Sequence, residues 1–276
     1  MKFKKIIIAI LSFSALVTQA QETAKETTTA DFKLSANYNT NLNYFGRTDS
    51  LQSSGFFPMA ELWVNNSFYV NAAPIFVNNN LQSFDYAGTI ATLGFQHVSD
   101  KLITHAFFMK PLYTEETKLV QSALKAQTGL SLTALNKILN VTVGADLKFS
   151  DKTDLGATFG LDHLIQIPGK NNLSIIIDPG FYAYAGTQNF TRTYQEKKRN
   201  LFLLPSTNEV TENEQRFNIL AFEFAVPLII TKEKWQFVTT PSYIMPKNLI
   251  KVEGRPDLSE TGENAFYTTF SLKYTF

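Results

Sequence analysis

The feature that most constrains this chain is the stretch from Gly262 to Phe276, which reads GENAFYTTFSLKYTF. From Phe266 onward every second residue is large and apolar (Phe266, Phe270, Leu272, Tyr274 and Phe276), with Thr268 as the one break. Between them fall Tyr267, Thr269, Ser271, Lys273 and Thr275. A period of two puts these two sets on opposite faces of a β-strand. The apolar set runs to the aromatic Phe276 itself, with no polar tail beyond it, so an apolar medium is expected on that face.

Mean hydropathy is -0.09 over 276 residues, which leaves no room for a bundle of membrane helices, each needing about 20 consecutive apolar residues. Membrane strands are compatible with it, because they turn only alternate residues to lipid and so average like a soluble protein. A formal net charge of +1, with no run of lysine and arginine on a regular face, argues against nucleic acid as a partner. The chain has no cysteine, so disulfides are not used.

At the amino end, Lys2, Lys4 and Lys5 precede the apolar run Ile6 to Val17, and Thr18-Gln19-Ala20 supplies small residues before a cut. This is the pattern of a secretory signal peptide, residues 1–20, whose apolar core is too short to span a bilayer. The mature chain is expected to begin at Gln21, with residues 21–30 a short polar periplasmic segment. No cysteine follows the cut, which excludes a lipoprotein.

Alternation then recurs along the chain. Phe32, Leu34, Ala36, Tyr38, Leu42 and Tyr44 share one face, and Lys33, Ser35, Asn37, Asn39, Asn41 and Asn43 the other. Phe56 to Asn65 and Phe68 to Val77 form a hairpin around Asn65-Asn66-Ser67, weakened by Pro58 and Pro74. Tyr86 to Val98 and Leu102 to Tyr113 form a second, about Ser99-Asp100-Lys101, with its facing open. Lys118 to Thr133, Asn136 to Phe149, a strand through Leu155 and Leu161, and Leu173 to Phe190 follow. Thr191 to Asn213 interrupts the pattern as a long charged loop. Gln215 to Ile230, Trp235 to Pro246, a loop through Gly254-Arg255-Pro256-Asp257 and the closing strand complete about twelve strands, with ten or fourteen as the alternatives.

The ending resembles the carboxy-terminal signal of the outer-membrane β-barrel proteins of Gram-negative bacteria, carried here by Phe270, Leu272, Tyr274 and Phe276. The resemblance implies an all-β transmembrane antiparallel up-and-down barrel over residues 31–276. It further implies assembly by the barrel-assembly machinery, outer-membrane lipid around the apolar face, both termini in the periplasm, and location in the cell outer membrane. On that reading Tyr44, Phe56, Phe57, Trp63, Phe68, Trp235, Tyr243 and Tyr274 are candidates for interfacial girdles. Trp63 is the likeliest of them to turn inward, since Leu62 and Val64 take the lipid face.

The chemistry on offer is sparse. His97, His105 and His163 never pair at metal-ligand spacing with a carboxylate, so no metal or other cofactor is expected. His97-Val98-Ser99 resembles the His-x-Ser pair of outer-membrane phospholipases, but Ser99 opens a turn and no asparagine or glycine follows as that family requires; no enzyme activity is expected. The lumen-lining candidates are Lys33, Glu61, Lys125, Asp146, Lys148, Asp154, Asp162, Asp178, Glu223 and Lys273, of both signs in similar number. Three readings remain. The leading one is passage of a small solute through the lumen. The others are a barrel closed by its own ion pairs that acts at the surface through the Thr191 to Asn213 loop, and a soluble periplasmic barrel with an apolar interior.

Overall fold

A computed structural model describes residues 30–188, 217–251 and 259–276, apart from 50, 82, 116 and 118. The signal peptide, residues 21–29, the Thr191 to Asn213 loop and the turn at 254–257 lie outside the described residues.

The elements in order are β1 (Asp31–Asn39), β2 (Asn43–Tyr44), β3 (Arg47–Thr48), β4 (Ser54–Trp63), β5 (Phe68–Asn78) and β6 (Asp85–Val98). Next come β7 (Leu102–Tyr113), a single 3-10 turn (Val120–Ala123), β8 (Ala126–Ala134), β9 (Asn140–Phe149), β10 (Thr153–Asp162) and β11 (Ile165–Pro168). The remainder are β12 (Leu173–Ile177), β13 (Gly180–Gly186), β14 (Asn218–Ala225), β15 (Leu228–Lys232), β16 (Trp235–Pro246) and β17 (Ala265–Thr275). All pairings are antiparallel, and β17 pairs with both β16 and β1, so the sheet closes on itself.

The result is a closed barrel of twelve crossings. Three of the crossings are each made of two strands, β10 with β11, β12 with β13, and β14 with β15. Proline is the cause in two of them. Pro179 and Pro227 withhold ladder donors at the breaks, and the chain bridges the gap with Asp178 N–H to Pro227 O at 3.0 Å and His163 N–H to Pro179 O at 3.0 Å. Pro58 and Pro74 face each other where the β4–β5 ladder lapses, between the pairs Phe56↔Phe76 and Ala60↔Ala72. Each strand survives because Pro58 still pairs with Ala36 on β1, and Pro74 with Thr89 on β6.

Period two sets the faces. On β9, Val141, Val143 and Leu147 are exposed outward, while Asn140, Thr142 and Lys148 are buried inward. The same holds for β1, where Phe32, Leu34 and Tyr38 point out and Lys33, Ser35 and Asn39 point in. The barrel therefore has an apolar exterior and a largely polar interior.

Short turns at residues 64–67, 99–101, 169–172 and 233–234 gather at one end, together with Asp31 and Thr275. The longer connections gather at the other, between β1 and β4, β7 and β8, β13 and β14, and β16 and β17. The 3-10 turn and the later start of β8 show why Lys118 to Thr133 is not a full strand: its first half is a loop packed on the barrel mouth.

Candidate functional site in the barrel interior

The half of the interior nearer the turn end is built from polar side chains on successive strands. Lys33 on β1 stands opposite Glu61 on β4, and Lys273 on β17 sits diagonally from Lys33, since Ser35 pairs with Lys273 and Lys33 with Thr275. Trp63 Nε1 donates to Glu61 Oε1 at 2.8 Å, and the Lys273 ammonium stands 3.9 Å from the same oxygen. Lys33 Nζ lies 4.7 Å over the Trp63 ring. Trp63 packs on Tyr69, whose hydroxyl meets His105 Nε2 at 2.9 Å. Across the barrel, Asn140 Nδ2 donates to Asp162 Oδ2, and nearer the loop end Tyr184 and Tyr267 donate to the two oxygens of Glu223. Ile176, Ile229 and Val238 form an apolar cluster on β12, β15 and β16, with Leu164 packed against it.

The half nearer the loop end is filled by the chain itself. After Asn39 the backbone turns into the barrel instead of continuing as strand. Asn43 Oδ1 accepts from Gly46 N–H at 3.0 Å, and Phe45 and Gly46, with φ of 52° and 75°, make the two-residue turn between β2 and β3. A left-handed phenylalanine is costly. Its ring is held in return, 4.6 Å from Tyr44 and 4.8 Å from Tyr184, with the Lys148 ammonium 5.6 Å away. Tyr44 and Phe45 join Phe107, Met109, Leu124, Leu220, Ile244 and Tyr267 in one buried cluster. Burial pushes the Tyr44 hydroxyl well above its ordinary pKa, with the carboxylates of Asp146 and Asp154 adding to the effect.

Arg47 anchors this hairpin. Its Nε donates to Glu260 Oε2 at 3.0 Å, Nη1 to the carbonyls of Phe45 and Leu220 at 3.2 Å, and Nη2 to the Lys247 carbonyl at 3.1 Å. Gln121 on the 3-10 turn donates to Asn43 O, which ties a second loop to the first.

The lumen candidates named from the sequence are placed as follows. Lys33, Glu61, Lys148, Asp154, Asp162, Asp178, Glu223 and Lys273 are buried inside the barrel, at 6 % exposure or less. Asp146 is partly buried beside Lys148, with which it forms an ion pair, and Gln127 donates to it. Lys125 is not among them: it lies at the loop end, two-thirds exposed, paired with Asp151 at 2.7 Å. It precedes β8 and so never takes an inward strand position.

Other expectations change as well. Leu42 and Tyr44 are not the end of the first strand's outer face but are buried in the plug, and Phe57 packs inward with Leu42, so Tyr44 and Phe57 belong to no girdle. His105 is inside the barrel at 2 % exposure, held by the Tyr69 hydroxyl. Ser99 Oγ donates to Leu102 O and accepts from Leu102 N–H, so it is occupied as a turn residue. Gln96, Gln127, Arg47 and Glu260 are interior groups that sequence reasoning missed. For Gln96 and His105 the alternation was masked, because Phe107 and Phe108 are both apolar while facing opposite ways.

No family model matches this sequence, and no curated protein matches it. Among solved structures, the chain is similar to the KdgM porin at 9 % identity, over 88 % of this chain and 99 % of that one, with a TM-score of 0.47. LpxR from Salmonella typhimurium gives 11 % identity over 88 % of this chain and 100 % of that one, with a TM-score of 0.46. The NanC porin gives 8 % over 88 % and 98 %, with a TM-score of 0.43. The likeness is one of overall shape, and nothing about the role of this chain follows from it.

Proposed function

We propose that this chain is an outer-membrane barrel that is closed at rest and acts at the cell surface through its long loops, without catalysis. The observation that carries this reading is the inward hairpin Asn43–Thr48, locked by Arg47 with four hydrogen bonds in the mouth of the barrel. Below it, the interior charges are only 1–6 % exposed, so little of them faces water. The apolar exterior supports residence in lipid, and the grouping of long connections at one end supports that end as the outward one. The series Phe270, Leu272, Tyr274 and Phe276 supports delivery by the barrel-assembly machinery.

A second reading, passage of a small solute, is favoured by one observation: the wall below the plug is lined by Ser35, Thr92, Gln96, Thr133 and Thr142, whose polar faces a permanently dry barrel does not require. Planar-bilayer conductance separates the two, using the native protein, Arg47→Ala, and a variant with residues 42–53 replaced by a short glycine-serine linker. Silence in all three supports the closed barrel. Conductance steps only in the variants would establish a latched passage, and steps in the native protein would overturn the closed state altogether.

A further inference from the structure

Lys33 and Lys273 lie on the same inner face of neighbouring strands, at 3 % and 5 % exposure, and neither ammonium has a hydrogen-bond partner among the described residues. Each carries three N–H donors. The charges facing them are few. Among the described residues Glu61 is the one buried carboxylate beside them, and its Oε1 already accepts from Trp63 while lying 3.9 Å from Lys273 Nζ. Asp31 stands at the turn-end rim, half-buried and partly in contact with solvent. Lys33 has the Trp63 ring on one side, which attracts a cation but accepts no N–H bond of ordinary strength. Two buried cations therefore share one buried anion, and a buried charge with no partner is expensive.

We propose that a small monovalent inorganic anion, of halide size, is bound between Lys33 and Lys273 inside the turn end of the barrel. One anion of single charge cancels the one uncompensated cation and accepts from both ammonium groups. A doubly charged oxyanion over-neutralises the group, since two lysines and one glutamate leave a single positive charge to cancel. Lys33 is two residues in from the rim residue Asp31, so the site lies at the turn end of the barrel, away from the Arg47 plug. The site does not depend on whether the barrel conducts.

The test uses the full barrel in detergent, with bromide as the crystallographic probe. Anomalous scattering from crystals grown in sodium bromide is expected to show a peak in contact with both ammonium nitrogens, lost in Lys33→Met and in Lys273→Met. No peak in the native protein, or a peak that persists in both variants, would overturn the site. Should a variant fail to fold, iodide quenching of the native site gives an independent answer. In a Trp235→Phe background Trp63 is the single tryptophan. It is 7 % exposed and beside Lys33, so quenching is expected to saturate at low iodide. Where Lys33→Met folds, affinity falls about tenfold or more, the loss of one charge-assisted hydrogen bond. Quenching of Trp63 that is absent, or that rises linearly without saturation, would count against the bound anion.

Discussion

Arg47 Nε and Glu260 Oε2 are bonded at 3.0 Å, and both side chains are 2 % exposed. The pair joins the first long connection of the barrel to the last. Glu260 Oε2 also accepts from Ile250 N–H at 2.9 Å, so the arginine holds down both its own hairpin and the segment that leads into β17.

Removing one member of this pair leaves a buried charge without its partner, which costs about 3–5 kcal/mol. Arg47→Met is expected to destabilise the barrel by that amount, and the double variant Arg47→Met with Glu260→Leu by less than the sum of the singles. Urea unfolding in lipid vesicles, followed by tryptophan fluorescence, reads both. Additive effects would show that the two side chains are not coupled.

The outer face of β9 tests the medium around the barrel. Val143 is 50 % exposed outward, while its neighbour Thr142 is 1 % exposed inward. In a bilayer, Val143→Arg is expected to cost about 2–4 kcal/mol near the midplane. In a water-soluble barrel the same change relieves an exposed apolar residue and costs nothing. Partitioning of the folded variant between vesicles and buffer checks the sign.

Gly94 on β6 is shaped by Tyr69. A Cβ at Gly94 would lie 2.1 Å from Tyr69 Cζ, and that ring is held by Trp63 on one side and His105 on the other. Gly94→Ala is expected to destabilise by about 1–3 kcal/mol through overpacking. In a Tyr69→Ser background most of that cost should disappear, and a double-mutant cycle measures the coupling.

Phe276 stands at the seam. Its N–H donates to Phe32 O at 3.0 Å, its ring meets Tyr274 edge-on at 4.9 Å, and its side chain is 58 % exposed. Such contacts are peripheral, so Phe276→Ala is expected to refold in vitro with a loss of about 1 kcal/mol or less. If the residue is read by the assembly machinery, the amount of assembled barrel in cell envelopes should drop far more than this stability change accounts for. A drop that merely tracks stability would remove that role.

The barrel itself was legible in the sequence because a strand's two faces alternate residue by residue, and a one-residue slip would turn a strand's outward apolar side chains in and its inward charged ones out. That alone determined which way Lys33, Glu61, Lys148, Asp162 and Lys273 point. It also determined the closing strand through Phe266 and Phe276. Only the tertiary structure decided what fills the interior. Leu42 and Tyr44 continue the parity of the outward face and are nevertheless buried in the interior, and nothing local distinguishes a loop that lies over the barrel from one that turns into it. The choice rests on Arg47 meeting Glu260 and the carbonyls of Leu220 and Lys247, all contributed from distant parts of the chain. The closeness of Lys33 to Lys273 likewise exists only once β1 and β17 have paired. Periodicity is a property of neighbours along the chain, whereas these contacts are made by ring closure, which brings the two ends of the sheet together.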